Sequence, residues 1–161
     1  MPDMLVRLYA LPDPAPERAR LAREGVLCRG AETFERHHAL RFVRDAFPKW
    51  ADEVSTAFGQ APPTLFVSIE GGAVTGFAAF NVTRPNYFGP TGVLESQRGR
   101  GIGRVLLLQC LQALAAQGYG YAIIGGVGPA RFYEKAVGAT VIADSDPGVY
   151  RDMLRLEAPP E

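Results

Sequence analysis

The sequence is poor in the residues that usually build metal sites and disulfide frameworks. Its 161 residues include two cysteines and two histidines. Cys28 and Cys110 fall in different predicted elements and lack metal-ligand spacing, so we expect a reduced chain without a metal site. Cys110 lies inside an apolar run, and because free cysteines are commonly buried we interpret it as part of the core.

Net charge and long hydrophobic runs are missing as well. Lys plus Arg and Asp plus Glu number 17 each, so the formal net charge is zero, which argues against a dedicated nucleic-acid binder. No apolar stretch approaches the roughly 20 residues that span a bilayer. The N-terminal segment lacks the cationic and apolar regions of a signal peptide. We therefore expect a cytoplasmic protein with neither a membrane nor a nucleic-acid partner.

What the sequence does contain is an alternation of strand-like and helix-like segments within the length of one domain. Strands are predicted at residues 4–11, 26–31, 64–70, 73–82, 87–94, 121–127, 139–143 and 149–156. Helices are predicted at residues 15–25, 32–47, 49–60, 101–117 and 129–137. Gly71-Gly72 suits a tight hairpin turn, and Gly89-Pro90 predicts a bulge or a bend. This mixture predicts an α/β (mixed α+β) domain in which helices cover a sheet.

One short segment combines glycine and arginine directly before an apolar run. Residues 98–104 read RGRGIGR. Backbone N–H groups at a helix N-terminus are unpaired, and the helix dipole adds positive potential there. Glycine removes the Cβ from the path of an anion and adopts the positive φ of a concave nest. The segment therefore predicts a pyrophosphate site that matches neither the P-loop nor the dinucleotide fingerprint. The alternative is a solvated loop whose glycines only make a turn.

The same segment resembles the signature of the GNAT superfamily of acyl-CoA-dependent N-acetyltransferases, R/Q-x-x-G-x-G/A, which Arg98-Gly99-Arg100-Gly101-Ile102-Gly103 meets. RFYEKAVGA, at residues 131–139, is similar to a second family segment. The resemblance implies a central mixed, largely antiparallel sheet flanked by helices, with strands that splay at the cofactor cleft. It divides the chain into an N-terminal strand-helix extension packed on the core, residues 1–25, and an acetyltransferase domain, residues 26–161.

The resemblance also implies a reaction, in which an amine attacks acetyl-CoA directly, with coenzyme A as the carrier and no metal. The strand around Leu94 would pair with the pantetheine arm, and the Val93 N–H would polarise the thioester carbonyl. Tyr133 would protonate the departing thiolate as general acid; its alternative is a core tyrosine whose hydroxyl reaches the surface. The pyrophosphate would be bound by the backbone N–H groups of Arg98, Gly99, Arg100, Gly101, Ile102, Gly103 and Arg104.

Two positions depart from the family pattern. Gly126 stands where members often carry an asparagine that contacts the cofactor arm. Backbone contacts at Gly126 replace that side chain, or the strand end opens differently. Ala139 stands where a phenylalanine is usual. Both departures leave the pose of the cofactor open but not the class of the reaction.

The sequence does not identify the acceptor or the general base. Candidates for the base are Glu95, Glu35, His37, His38 and Glu53. Trp50, Tyr87 and Phe88 are candidates for lining the acceptor pocket, and Arg84 for binding an anionic acceptor. We expect a small-molecule or peptide amine as partner, and the family's habits suggest a homodimer. Two rival interpretations stay open: a catalytically inactive acyl-CoA-binding sensor, and a nucleic-acid or nucleotide binder that uses the arginine cluster.

Overall fold

A seven-stranded sheet forms the centre of the computed structural model, which describes residues 1–154. The strands are β1 (Met4–Arg7), β2 (Val26–Gly30), β3 (Leu65–Glu70), β4 (Ala73–Phe80), β5 (Tyr87–Val93), β6 (Tyr121–Ile124) and β7 (Thr140–Val141). Their order in the sheet is β2-β3-β4-β5-β6-β1-β7. Neighbouring strands run antiparallel except β5 and β6, which run parallel. The mixed, largely antiparallel sheet is confirmed.

Helices cover both faces of this sheet. They are α1 (Ala15–Arg23), α2 (Arg36–Ala46), α3 (Ala51–Ser55), α4 (Ile102–Ala116) and α5 (Ala130–Val137). The side chains of β4 contribute to a core on each face of the sheet, because successive side chains of a strand point to opposite faces. Ala78 and Phe80 pack in the core around α4, whereas Phe77 and Ala79 pack in the core under α2 and α3. None of the helices in the described residues has the length and hydrophobicity needed to cross a membrane.

The sheet opens between β5 and β6. The two strands pair at Tyr87 with Ile123 and at Phe88 with Ile124, where β6 ends while β5 continues to Val93. On its other edge β5 shifts register against β4 between Ala78 and Phe80, so β5 carries an extra residue. Gly89 has φ +112° there, a conformation that suits glycine. The bulge predicted at Gly89-Pro90 is confirmed, and the splayed strands leave a cleft.

The tail differs from the sequence prediction. The strand predicted at residues 149–156 is wrong for the part that the structure describes, because Gly148–Tyr150 form a 3-10 turn and residues 151–154 form no strand. Arg155 and Leu156 lie outside the described residues. Pro147 lacks a backbone N–H, and Gly148 has φ +55°, so the chain turns at this point instead of extending.

Other elements are also shorter than expected, among them the strand predicted at residues 121–127, which ends at Ile124. The first strand ends at Arg7 and a 3-10 turn follows. In the segment 49–60, α3 is the α-helical part and lies between 3-10 turns. The strand predicted at 139–143 is reduced to the two residues of β7.

The N-terminal strand lies inside the sheet. Met4 of β1 pairs with Ile124 on one side and with Val141 on the other. Met4 and Val6 are fully buried, and α1 packs against β2 and α4. Residues 1–25 thus supply an interior strand and a helix. The division of the chain at residue 25 stays a prediction.

Candidate active site

The loop between β5 and α4 presents a row of free backbone donors. Gly99 and Gly101 have φ +79° and +89°. The first helical hydrogen bond of α4 runs from the N–H of Val105 to the carbonyl oxygen of Gly101, at 3.1 Å. Within the described residues, the N–H groups of residues 99–104 donate to no protein acceptor. Six consecutive amides at the positive end of a buried helix suit a diphosphate.

Carboxylates already hold two of the loop's three arginines. Arg100 Nη1 lies 3.1 Å from Glu70 Oε2, and Arg104 Nη1 lies 2.5 Å from Glu17 Oε2. Within the described part of the chain, Arg98 forms no ion pair, and its side chain is exposed. The amides and Arg98 are therefore the groups of this loop that are free to meet an anion.

A cleft of about 1110 Å³ begins at this loop, follows the opening between β5 and β6, and ends beside α3. A volume of this size suits an elongated ligand. The residues that line it include Gly99, Gly101, Gly103, Thr91, Gly92, Val93, Gly125, Gly126, Tyr133, Trp50, Glu53, Tyr87 and Tyr150. The cleft thus joins the predicted diphosphate site to Tyr133 and to most of the predicted acceptor residues.

Strand β5 offers further backbone donors to the cleft. The N–H of Leu94 donates to the carbonyl oxygen of Thr75 on the β4 side, at 3.0 Å. Successive N–H groups of a strand point to opposite edges, so those of Val93 and Thr91 point to the cleft. The carbonyl oxygen of Val93 lies on the same edge and accepts a hydrogen bond from Arg98 Nε at 3.2 Å. Sequence reasoning missed Thr91, although the same alternation could have found it.

Tyr133 lies in the wall of the cleft on α5. It is 7% exposed, and its ring packs edge-on against Phe88 and Phe132 with centroid distances of 6.2 and 5.0 Å. Burial raises the pKa of the Tyr133 hydroxyl to about 12. The phenol is therefore fully protonated at neutral pH, as a proton donor has to be.

The amide of Gly126 has a partner within the chain. It donates to Asp3 Oδ1 at 2.8 Å, and the Asp3 side chain is almost completely buried. A Cβ added at the neighbouring Gly125 would lie 2.9 Å from the Tyr150 hydroxyl oxygen. Tyr150, which sequence reasoning missed because it lies far along the chain, therefore covers this side of the cleft. The cofactor contact expected of Gly126 stays a prediction.

The structure brings one of the five candidate bases to the cleft. Glu53 lines it, whereas Glu95 and both histidines of α2 do not. Glu35 is bound to Arg29 at 2.5 Å, and this hydrogen bond lowers the pKa of the Glu35 carboxyl to about 2. Of the predicted acceptor residues, Trp50, Tyr87 and Phe88 line the cleft and Arg84 does not.

Comparison with known sequences gives one match. The sequence model of the Acetyltransferase (GNAT) family matches residues 31–139, which is more than half of the chain. These residues run from the end of β2 through the amide loop to the segment after α5. No curated protein matches the chain.

Three solved structures are similar in fold. The GCN5-related glucosamine N-acetyltransferase region of a fungal multi-domain β-N-acetylglucosaminidase has a TM-score of 0.71 and 18% identity, over 88% of this chain and 19% of that chain. A GCN5-related N-acetyltransferase from Sphaerobacter thermophilus has a TM-score of 0.64 and 20% identity, over 88% and 48%. A GNAT family acetyltransferase from Brucella melitensis, in complex with acetyl-CoA, has a TM-score of 0.55 and 20% identity, over 74% and 88%.

The chain spans less than half of the length of the first two of these proteins. Identities of 20% or less establish a shared fold, while the family match rests on the sequence itself. That match covers both the amide loop and the helix that carries Tyr133. The chain belongs to the GNAT acetyltransferase family.

Proposed function

We propose that this chain transfers an acetyl group from acetyl-CoA to a primary amine. The observation that carries the proposal is the row of six free amides at the start of α4, which opens into a cleft with Tyr133 in its wall. The Brucella melitensis neighbour, which is in complex with acetyl-CoA, supports the choice of carrier.

The free amides of residues 99–104 bind the diphosphate of the carrier, and Arg98 adds a positive charge beside it. Gly99 leaves the approach clear, since a Cβ placed there would meet nothing within 4 Å. The hydrogen bond from Arg98 Nε to the carbonyl oxygen of Val93 has to break when the pantetheine arm enters the cleft. The Val93 N–H and carbonyl groups then pair with that arm, which carries amides of its own.

The packing of Tyr133 supports a choice between the amides of β5 that could meet the thioester. Its ring packs against Phe88, and Thr91 is closer to Phe88 along the strand than Val93 is. At about 3.3 Å of rise per residue, the two candidate donors differ substantially in depth. We therefore assign polarisation of the thioester carbonyl to the Thr91 N–H. Val93, the donor expected from the sequence, contacts the arm.

Acetyl-CoA supplies the acyl group already activated as a thioester. The amine nitrogen forms the new C–N bond, the C–S bond breaks, and Tyr133 donates its phenolic proton to the sulfur that leaves. The proton lost by the amine passes to solvent through the open end of the cleft, and solvent returns a proton to the Tyr133 phenolate after the thiol has left. Because burial makes Tyr133 a weaker acid than a free phenol, proton donation accompanies C–S cleavage and does not precede it.

Replacing Tyr133 by phenylalanine tests this function. Loss of a general acid lowers rates by roughly 10²–10⁴-fold, so we expect the Tyr133→Phe variant to release thiol from acetyl-CoA at least about a hundredfold more slowly. Its affinity for coenzyme A, measured by calorimetry, stays unchanged. Tyr119→Phe, half-buried and outside the cleft, is the matched control.

An acceptor screen decides between the enzyme and an inactive sensor. It measures thiol release with amino acids, polyamines, aminoglycosides, peptides and amino sugars, the last because the fungal neighbour is described as a glucosamine N-acetyltransferase region. Tight binding of acetyl-CoA without release by any amine means that the domain is a sensor. A fully active Tyr133→Phe variant would remove Tyr133 from the mechanism.

A further inference from the structure

The Glu53 carboxylate lines the cleft and has no cationic partner in the described part of the chain. Among the other carboxylates that line the cleft, Glu17 pairs with Arg104 and Asp146 pairs with the Met1 amino group, at 2.5 and 2.6 Å. Glu53 accepts a hydrogen bond from the Thr83 hydroxyl. Within residues 1–154 it forms no ion pair. Opposite charges attract more strongly beside a protein surface than in bulk water, so a positively charged ligand next to Glu53 would stabilise this end of the cleft.

Aromatic side chains from three separate segments surround the same end. Trp50 precedes α3, Tyr87 begins β5, and Tyr150 ends the 3-10 turn that begins at Gly148. Burial raises the pKa of Tyr150, and the nearby Glu53 carboxylate raises it further, so both groups lie in one environment. Aromatic faces attract cations. The faces and the carboxylate thus favour the same kind of ligand.

The face of Trp50 already attracts a cation from the chain itself. Lys49 Nζ lies 4.5 Å from the centre of the Trp50 ring. The Lys49 side chain is exposed, so a ligand cation can displace it at little cost. Lys49 and Glu53 are the charged groups at this end of the cleft that have no ion-pair partner in the described residues.

Two stacked aromatic rings form part of the cleft wall between β5 and α3. The Phe47 ring lies against Gly92 of β5, 2.7 Å from the position of a Cβ there. Trp50 stacks on Phe47, with centroids 5.7 Å apart and planes 20° apart. Glu53 follows Trp50 by three residues, and its carboxylate accepts a hydrogen bond from the Thr83 hydroxyl. A carboxylate held in this way can bind a charge other than that of the attacking nitrogen.

We propose that the acceptor is an amine with a second positive charge, held by Glu53 against Trp50, Tyr87 and Tyr150. The acylated nitrogen of such a diamine lies beside β5, where the Thr91 amide polarises the thioester. An acidic group in place of the second cation is repelled, so the site selects against amines that carry a carboxylate. The proposal rests on the proposed function for the acylation, but not for the binding of the cation.

Three amines of similar length test the binding, by NMR titration of the full chain in the presence of coenzyme A. They are cadaverine, with a second cation, pentylamine, with none, and aminocaproate, with an anion. We expect cadaverine to bind about tenfold more tightly than pentylamine, and aminocaproate to bind most weakly. Glu53→Gln abolishes the preference for cadaverine. Asp52→Asn, a neighbouring exposed carboxylate on α3, leaves it intact.

A charge reversal guards against loss of folding as the explanation. Glu53→Lys should favour aminocaproate over cadaverine, a gain that an unfolded protein cannot give. The proposal is overturned if the three amines bind equally to the original chain, or if Glu53→Gln keeps the preference for cadaverine.

Thiol release from acetyl-CoA separates this inference from the proposed function. Glu53-dependent binding of cadaverine without thiol release would contradict acetyl transfer and leave the cation site standing. Thiol release that Glu53→Gln slows equally for all three amines would make Glu53 act on the reacting amine. In that case the inference fails and the acetyl transfer stands.

Discussion

At Gly101, replacing glycine by a residue with a Cβ should have a clear effect on the geometry of the amide loop. It has φ +89°, and a Cβ built on it would lie against Glu17 Oε1, 3.0 Å from Arg20 Nη2. A left-handed conformation costs a residue with a side chain about 1–2 kcal/mol. Both effects act on the same turn of the amide loop, so the geometry of the free donors depends on this glycine.

We expect Gly101→Ala to weaken binding of coenzyme A by at least about tenfold, because a side chain at this positive φ strains the turn that positions the amides. Gly103→Ala is the control, since Gly103 lies inside α4 and its nearest neighbour would be Val93 Cγ2 at 3.8 Å. Calorimetric titration with coenzyme A measures both variants. Equal affinities for the two would mean that the loop does not carry the diphosphate.

The pH profile tests the state of Tyr133. Its raised pKa of about 12 keeps the donor form present throughout the range in which a free phenol, with a pKa of about 10, ionises. We expect kcat to show no alkaline decline through pH 10 that depends on Tyr133. Thiol release is measured from pH 6 to about 10.5 for the original chain and for Tyr133→Phe. A decline near pH 9 that vanishes in the variant would contradict the assignment.

At the scale of elements, α4 and α1 together position the amide loop and the charges around it. Nine residues of α4 are buried, so its N-terminus has a fixed position and direction. Helix α1 and the adjoining Glu24 contact the loop and the first turn of α4 through three polar side chains. Glu17 pairs with Arg104, Arg20 donates to the carbonyl oxygen of Arg100 at 2.6 Å, and Glu24 lies 3.8 Å from the Arg100 guanidinium.

Glu17 of α1 puts a carboxylate at the edge of the proposed diphosphate site. Removing its charge in Glu17→Gln also frees Arg104 for the diphosphate, so we expect coenzyme A to bind severalfold more tightly at low salt. Arg23→Gln, on the same helix but outside the cleft lining, is the control. Calorimetry at two salt concentrations measures the effect. Weaker binding by Glu17→Gln would show instead that Glu17 is needed to position the loop.

At the scale of the whole molecule, the placement of β1 joins the two ends of the described chain. Met4 is fully buried between β6 and β7, and Asp3 binds the amide of Gly126 beside the cleft. The first strand therefore belongs to the same cooperative unit as the site. Residues 1–25 would then not unfold separately from the remainder.

We expect Met4→Ala to destabilise the whole domain by about 2–5 kcal/mol, the usual cost of truncating a buried side chain. Urea unfolding should keep a single transition, seen alike by Trp50 fluorescence and by circular dichroism. Met153→Ala, at an exposed methionine, is the control. Two separate transitions would mean that residues 1–25 form an independent extension.

The amide loop could be predicted because its cause is local. Glycines at positive φ, unpaired helix amides and the apolar run behind them all follow from consecutive residues, and so does the bulge at Gly89-Pro90. The strand predicted at residues 149–156 is wrong because the β-rich composition of that segment does not reveal the turn that Pro147 and Gly148 impose. The ion pairs of Arg100 and Arg104 could not be read from the sequence, since their partners lie on α1 and β3.

The sequence by itself determined the class of fold, the glycine-rich turn before α4 and the family, because each rests on patterns of residues that lie near one another along the chain. The tertiary structure decided the rest. It placed β1 between β6 and β7, packed Tyr133 against Phe88, and left Glu53 without a cationic partner among residues 1–154. Those features join residues far apart in the chain, and only the packing of the sheet and helices brings such residues together.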